Sequence, residues 1–197
     1  MESVILARHG ESEYSVRGAL NGDPAIACGL TPAGEGQARS LAVELAETPV
    51  DLCVTSGFER ARRTADLALA GRDVPRLVDP DLGDPDYGSY EGAQLEEYRS
   101  WASSASSRAT PNGGGESRLA IVARYVKAFR TILARPDRSV LVVAHSLPIA
   151  YVLGAVVGTV PGARVPLVEY ARAYRLAAVE LEAAVSLLED WCASPTW

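Results

Sequence analysis

The stretch "VILARHGES", residues 4–12, joins an apolar run directly to a group of charged and polar residues. Four consecutive apolar residues, 4–7, are typical of a buried strand in a parallel sheet. Arg8 and His9 follow with no spacer, in a chain that has only two histidines. Because ligands of open α/β sheets bind outside the carboxyl ends of the strands, this junction is a candidate functional edge.

Other apolar runs alternate with helical patterns along the rest of the chain. The further candidate strands are residues 51–55, 76–79 and 140–144, and the amphipathic helical patterns cover residues 30–48, 58–71 and 117–136. Strands that alternate with helices indicate βαβ units. The sequence therefore predicts an α/β fold, a three-layer α/β/α sandwich with a mostly parallel central sheet and helices on both faces.

Two segments interrupt this alternation. Residues 12–29 form a loop rich in small residues, and residues 84–116 form a longer insertion that we expect to be a small lid. The tail from residue 168 is compatible either with helix or with two edge strands. The whole chain, residues 1–197, is expected to form a single domain with this lid insertion.

Composition excludes some classes of binding partner and indicates the compartment of the protein. The net charge of -6 argues against nucleic acid or an anionic membrane surface as a partner. The three cysteines are odd in number and far apart, which favours reduced thiols over a disulfide or zinc framework. No signal peptide is visible, and His145 and Pro148 interrupt the apolar stretch 140–160, so a strand, a turn and a helix explain it better than a membrane span. We therefore expect a cytoplasmic protein.

Both histidines and two arginines follow predicted strands. Arg8 and His9 end the first strand, Arg60 lies one turn into the helix after strand 51–55, and His145 follows strand 140–144. Guanidinium groups match phosphate oxygens in bidentate geometry, and a neutral histidine is a covalent nucleophile. A second, protonated imidazole stabilises charge on the equatorial oxygens. The set predicts attack on a phosphate monoester, giving a phosphohistidine that water hydrolyses, and requires no metal or cofactor.

The leaving alcohol needs a proton, so the site also needs a carboxylic acid. The segment "DLGDPDYGSYEG", residues 81–92, offers Asp84, Asp86 and Glu91. Their spacing alone does not choose among them.

Several motifs together resemble one family. In order they are "ARHGES", "LTPAGEGQA", "SGFERARRTA", "LGDPDYGSYEG", "GGGES" and "VLVVAHS". This set resembles the histidine phosphatase superfamily, the phosphoglycerate mutase-like proteins. The resemblance implies that His9 is the phosphorylated nucleophile, that Arg8, Arg60 and His145 bind the phosphoryl group, and that Asp84 is the proton donor.

The chain departs from the family pattern around the substrate. Asp84 stands where many members have glutamate, so its carboxyl lies about 1.5 Å further back. Ser15 occupies a position where the family often has a phosphate-contacting asparagine, and Asn21 and Gly22 stand near the usual Gln-Gly. These three residues are candidate substrate contacts. In the insertion Tyr90, Tyr98, Arg99 and Trp101 are further candidates, although an exposed helix with chance aromatics explains them equally well.

The resemblance favours the phosphatase branch. Mutases of the family carry a much longer segment between the acid and "GES", and the segment from Asp84 to Glu116 is short here. We expect a metal-independent phosphomonoester hydrolase that acts on a small phosphorylated metabolite and releases inorganic phosphate. The alternatives are a phosphoglycerate mutase-type phosphotransferase or a catalytically impaired phospholigand-binding protein. The oligomeric state is left open, with a homodimer as one option.

Overall fold

One mixed sheet organises the chain, and a computed structural model describes all of it, residues 1–197. The strands are β1 (Ser3–Arg8), β2 (Leu52–Thr55), β3 (Arg76–Val78), β4 (Ser139–Ala144) and β5 (Tyr174–Ala177). Their order across the sheet is β3-β2-β4-β1-β5. The first four strands pair in parallel, and β5 is antiparallel to β1. The mostly parallel central sheet is therefore confirmed.

Seven helices surround this sheet. They are α1 (Glu13–Val16), α2 (Pro32–Glu44), α3 (Glu59–Ala68), α4 (Leu95–Ser104), α5 (Arg118–Leu133), α6 (Ser146–Val156) and α7 (Ala178–Ala193). Short 3-10 turns at Pro80–Leu82 and Gly88–Tyr90 lie between β3 and α4. Helix α2 begins as its sequence predicts, because Pro32 is its first residue and the Thr31 hydroxyl accepts a hydrogen bond from the Gly34 amide.

The strands bury side chains on both faces of the sheet. In β1, Val4 and Leu6 pack into the larger core beneath α5, α6 and α7, whereas Ile5 and Ala7 pack into the smaller core beneath α2 and α3. Successive side chains of a strand point to opposite faces, so one apolar run supplies both cores. Helices therefore cover both faces, as expected for an α/β/α sandwich.

The tail forms one strand and one helix, where the sequence left helix and two edge strands open. Residues 174–177 pair with β1 as the edge strand β5. The residues after β5, for which both helix and strand were open, form α7. Its buried Leu181, Val185 and Leu188 recur at helical spacing. Packing of this stripe against the larger core decides for a helix.

The two interrupting segments contain more regular structure than the sequence indicated. Residues 12–29 include the short helix α1, which Ser12 caps with its side chain. The insertion 84–116 contains α4. The apolar stretch 140–160 divides into β4, a turn and α6 as predicted. No helix combines the length and the apolar character needed to cross a membrane.

Candidate active site

The carboxyl ends of β1, β2 and β4 bring the four predicted phosphate-site residues together. Arg8 ends β1, and the His9 amide donates to the Ala144 carbonyl at 2.9 Å, which places His9 beside the end of β4. His145 follows β4, and Arg60 lies in the first turn of α3. Arg8, His9, Arg60 and His145 are all buried. The fold therefore concentrates two guanidiniums and both imidazoles at one edge of the sheet.

The backbone determines which ring nitrogen of His9 is free. His9 Nδ1 lies 2.7 Å from the Gly10 carbonyl oxygen, which only accepts hydrogen bonds, so Nδ1 carries the proton. Nε2 then holds a lone pair. Burial, and with it the charges of Arg60 and Arg8, lowers the pKa of His9 well below its usual value. His9 is therefore neutral at physiological pH, as a nucleophile must be.

Close packing holds the Gly10 loop in place. A Cβ at Gly10 would lie 2.4 Å from the Gly34 carbonyl oxygen in the first turn of α2. The Gly10 amide donates to Thr64 Oγ1 at 3.0 Å, and that hydroxyl donates to the Arg60 carbonyl at 2.7 Å. The loop that positions His9 is thus fastened to both α2 and α3.

Arg60 is held by Asn21 and Asp84. Its Nη1 donates to Asn21 Oδ1 at 2.5 Å, and its Nη2 donates to the Asn21 carbonyl at 3.0 Å. Nη2 also lies 2.7 Å from Asp84 Oδ2. The Asn21 side chain, predicted as a substrate contact, therefore positions a phosphate-site arginine.

Arg8 has no acidic partner. Its guanidinium carbon lies 3.8 Å from the centre of the Tyr170 ring, and its Nη1 donates to the Val168 carbonyl at 2.8 Å. Its Nε is buried without a hydrogen-bond partner. Burial lowers the pKa of Arg8, although a guanidinium remains charged in proteins. Tyr170 and Val168 were missed by the sequence analysis because they lie in the tail whose structure it left open.

His145 connects the site to β2 and to the acidic segment. Its Nε2 lies 2.8 Å from Ser56 Oγ, and its Nδ1 lies 2.9 Å from Asp84 Oδ2. Its ring packs edge-on against the His9 ring, with the centroids 5.2 Å apart. Burial lowers the pKa of His145 and outweighs the opposing effect of Asp84. The expectation of a protonated second imidazole is therefore wrong for the free protein, because burial keeps the His145 ring neutral. In the neutral ring, Nδ1–H donates to Asp84 and Nε2 accepts from the Ser56 hydroxyl.

Asp84 is the acidic residue that reaches this cluster. Burial opposes its ionisation, but its contact with His145 and the charge of Arg60 outweigh burial and hold its pKa well below the ordinary range. Asp86 instead accepts the Gly88 amide hydrogen bond in a turn. Glu91 accepts the Gly22 amide with both carboxylate oxygens, at 2.9 and 3.0 Å.

The cluster opens into a cavity of about 230 Å³, and half of its 22 lining residues are hydrophobic. Arg8, His9, Arg60 and Asp84 line it. Ser15 also lines it, and its hydroxyl is 2.8 Å from that of Ser12. The wall also includes Asn21, Tyr87, Leu95, Tyr98, Arg99, Arg118, Leu147, Ala163, Val165, Leu167 and Tyr170.

Some predicted contacts fall outside this cavity. Gly22 does not line it, because its amide faces Glu91 and its α-carbon packs against Pro85. Tyr90 and Trp101 of the insertion do not line it either, whereas Tyr98 and Arg99 do. Arg118 was missed altogether, since one arginine at the start of a helix carries no signal of its own in the sequence.

Three side chains of the site have the chemistry of metal ligands. The sequence predicts a site that requires no metal, but donor atoms of His9, Asp84 and His145 lie within 4.8 Å of one another. They come from three distant segments, so spacing along the chain did not reveal them. Arg60 lies against the same carboxylate, and Arg8 lines the same cavity. Two guanidiniums repel a cation and favour an anion at this position.

Comparisons with known proteins define the family of the chain. The profile of the histidine phosphatase superfamily (branch 1) matches residues 4–187. The chain belongs to this superfamily. A 2,3-bisphosphoglycerate-dependent phosphoglycerate mutase of Methylobacterium sp. (strain 4-46) is 34% identical over 199 residues, covering 89% of this chain and 91% of the relative. An adenosylcobalamin/alpha-ribazole phosphatase of Salmonella typhimurium is 36% identical over 118 residues, covering 56% of this chain and 57% of the relative.

Solved structures share the same fold. The alpha-ribazole phosphatase from Shigella flexneri superimposes with a TM-score of 0.74 at 25% identity, covering 88% of this chain and 89% of that one. The protein TTHB049 from Thermus thermophilus gives a TM-score of 0.66 at 29% identity, with 88% and 92% covered. The named relatives include both phosphatases and a mutase, so the family by itself leaves open which of the two reactions this chain performs.

Proposed function

We propose that the protein is a metal-independent phosphomonoester hydrolase that acts on a small phosphorylated metabolite of the cytoplasm through a phosphohistidine at His9. The observation that carries this proposal is the hydrogen bond from His9 Nδ1 to the Gly10 carbonyl, which leaves Nε2 unprotonated beside Arg8, Arg60 and His145. The hydrolase works as one domain, residues 1–197, with segment 84–116 as its lid.

In the first step His9 Nε2 attacks phosphorus and the bond from phosphorus to the leaving oxygen breaks. Arg8, Arg60 and His145 Nδ1 donate hydrogen bonds to the transferring oxygens, which substitutes for a metal in offsetting their charge. Asp84 gives its proton to the leaving oxygen, so the alcohol departs neutral. Ser15 lines the cavity and contributes a hydroxyl to the bound phosphate.

In the second step water attacks the phosphohistidine. The bond from Nε2 to phosphorus breaks, its electron pair returns to Nε2, and the Asp84 carboxylate accepts the proton of the water. Inorganic phosphate leaves and His9 regains its neutral form.

Asp84 must be protonated when the first step begins, although its pKa lies low in the free enzyme. A bound phosphate competes for the same donors, Arg60 Nη2 and His145 Nδ1, that keep the carboxylate ionised. It also brings negative charge next to Asp84. Both effects raise the pKa of the carboxyl group and let it take a proton from the solvent or from the phosphate monoanion.

A mutase is the second candidate, and the relative that supports it is the phosphoglycerate mutase that aligns over 89% of the chain. The shortness of segment 84–116 supports hydrolysis instead, because little chain is available to close over the phosphoenzyme. Water therefore reaches the phosphohistidine.

Trapping the phosphoenzyme tests this function. Protein mixed with p-nitrophenyl phosphate and quenched in alkaline denaturant, in which the P–N bond of phosphohistidine survives, is expected to carry one phosphoryl group. Peptide mass spectrometry without acid treatment is expected to locate it on His9. His9→Ala abolishes both the label and turnover with its circular dichroism unchanged, whereas His145→Ala, which removes the only other histidine, keeps a label on His9 and turns over slowly.

Three outcomes contradict the hydrolase. A label on His145, or turnover by His9→Ala, overturns the nucleophile. A phosphoenzyme that decays only when a sugar acid acceptor is added identifies the mutase. Stabilisation by phosphate in thermal unfolding, without any label, identifies a binding protein.

A further inference from the structure

Arg118 is a buried charge without a counter-ion. It is the first residue of α5 and only 8% exposed. No carboxylate oxygen lies within 4.0 Å of its guanidinium, whereas Arg124 on the same helix pairs with Glu116 at 2.8 Å. Arg118 Nη2 donates a hydrogen bond to the Ala163 carbonyl at 3.3 Å, and the Tyr98 ring lies 5.6 Å from the guanidinium carbon. The Tyr151 hydroxyl is a further neutral partner of the guanidinium.

Burial of the Arg118 guanidinium costs free energy unless an anion pairs with it. Removing a guanidinium from water carries a desolvation penalty, and buried charges in proteins are accordingly paired. One carbonyl oxygen and one tyrosine hydroxyl use only part of the five N–H groups of the guanidinium. Arginine does not escape by deprotonation, because its pKa is too high. Arg118 therefore has unused capacity for a negatively charged group.

The Arg118 side chain faces the candidate active site. Arg118 lines the same cavity as His9 and Arg60. Much of the remaining wall is apolar or aromatic, formed by Tyr87, Leu95, Leu147, Val165 and Leu167. A molecule that fills this cavity meets cationic groups at the phosphoryl centre, an apolar wall, and a further cation at Arg118.

We propose that the alcohol part of the substrate carries a second anionic group, a carboxylate or a phosphate, which Arg118 binds. The substrate class is then a phosphate monoester with an apolar or ring-containing body and a second anion. This inference rests on the proposed hydrolase function and adds the specificity of the same site. Arg118 acts on substrate binding and has no part in the chemical step.

Matched aryl phosphates test the subsite. Phenyl phosphates with a para carboxyl, carboxymethyl or carboxyethyl group are each compared with their methyl esters, which have similar shape and no second charge. A parallel comparison of phenylene bisphosphate with phenyl phosphate distinguishes a phosphate from a carboxylate. The readout is the ratio of kcat/KM for the acid to that for its ester, measured within one variant.

Wild-type protein is expected to prefer at least one acid over its ester by on the order of tenfold or more, since a charge-assisted hydrogen bond in a buried site supplies discrimination of this size. In Arg118→Met the ratio falls to about one. In Arg118→Lys it is intermediate, because the charge remains but the planar guanidinium that binds an anion through two N–H groups is lost. Arg39→Met, which removes the same charge from an exposed helix position, keeps the wild-type ratio.

A wild-type ratio of one across the whole series, or a wild-type ratio retained in Arg118→Met, overturns the inference. Arg118→Lys provides the measurement if Arg118→Met does not fold. If the protein hydrolyses none of the esters, the proposed hydrolase function fails, and calorimetric binding of the corresponding phosphonate acids and esters still measures the ratio at Arg118.

Discussion

The Gly10 carbonyl selects the reactive nitrogen of His9. By accepting the Nδ1 proton at 2.7 Å it leaves Nε2 free, and burial keeps the ring neutral. A generic histidine exchanges between two tautomers and gains a proton near pH 6.5. The local backbone therefore prepares this side chain for attack before any substrate is bound.

The first prediction concerns the protonation of His9. Long-range ¹H–¹⁵N spectra are expected to show a neutral ring with the proton on Nδ1 at pH 6.5, because the pKa of His9 is lowered. The chain has two histidines, so His145→Gln assigns the two rings by difference. An imidazolium signal for His9 at pH 6.5, or a proton on Nε2, would contradict the proposed nucleophile.

The second prediction separates the acid role of Asp84 from a role in binding. Asp84→Asn is expected to reduce kcat/KM, which excludes the hydrolysis of the phosphohistidine, by about 10²–10⁴-fold for an alkyl phosphate, the usual contribution of general acid catalysis. The loss for p-nitrophenyl phosphate is much smaller, since p-nitrophenolate leaves without a proton. Asp86→Asn removes a neighbouring turn acid that does not line the cavity and serves as the control. Equal losses for the two substrates in Asp84→Asn would sink the acid role.

At the scale of elements, α2 supports the nucleophile loop through a contact between backbones. The first turn of α2 lies against residues 10 and 11, and a Cβ at Gly34 would lie 2.0 Å from the Glu11 carbonyl oxygen. On the same helix a Cβ at Gly36 would meet nothing within 4 Å. Gly34 therefore allows the close approach of the Glu11 backbone, whereas Gly36, two residues further on, has no such neighbour.

The third prediction uses this pair of glycines. Gly34→Ala is expected to reduce the free energy of unfolding by about 1–3 kcal/mol, the usual cost of overpacking, and to lower kcat/KM through displacement of His9. Gly36→Ala is expected to stabilise by about 0.5–1 kcal/mol, because alanine favours the helix. Urea denaturation and kinetics on both variants check this, and equal effects of the two substitutions would disprove the contact.

The two segments that interrupt the α/β alternation are joined to each other. The Leu20 amide donates to the Ala93 carbonyl at 2.9 Å, and the Leu95 amide donates to the Gly18 carbonyl at 2.9 Å. Leu20 also packs with Tyr87 and Tyr98 in a small separate core. The proposed lid is therefore held to the loop that carries Asn21 by backbone hydrogen bonds and by this small core.

At the scale of the whole molecule, the buried site makes stability depend on pH. The pKa values of His9 and His145 are both lowered in the folded protein. Between the ordinary histidine pKa of about 6.5 and the lowered values, the unfolded chain binds more protons than the folded one. Stability is therefore complete at neutral pH and declines as the pH falls.

The fourth prediction is a decline of the free energy of unfolding between pH 7 and pH 5. Its slope approaches about 2.7 kcal/mol per pH unit at most, because each of the two rings contributes up to about 1.36 kcal/mol per unit. His9→Gln and His145→Gln each flatten the slope, measured by urea denaturation at several pH values. The lowered pKa of Asp84 acts in the same direction below about pH 3.9, outside this window. A free energy independent of pH would refute the burial of neutral histidines.

Much of the architecture was predictable because it depends on local patterns. The apolar runs 4–7 and 140–144 become the central strands β1 and β4, and the Thr31 cap of α2 forms as its residues indicate. The tail was not predictable in this way. Its strand and helix are decided by pairing with β1 and by packing on the larger core, which are both distant in sequence.

The sequence by itself determined the class of fold and the residues that meet at the ends of β1, β2 and β4, since the apolar runs of these strands and the motifs that follow them are short local segments. Only the tertiary structure decided what those residues contact. It paired Asp84 with Arg60 and His145, turned Glu91 to Gly22, and buried Arg118 in the same cavity without a counter-ion. The physical reason is that hydrogen bonds and charge interactions depend on distances through space, and these distances arise only when segments far apart in the chain pack together.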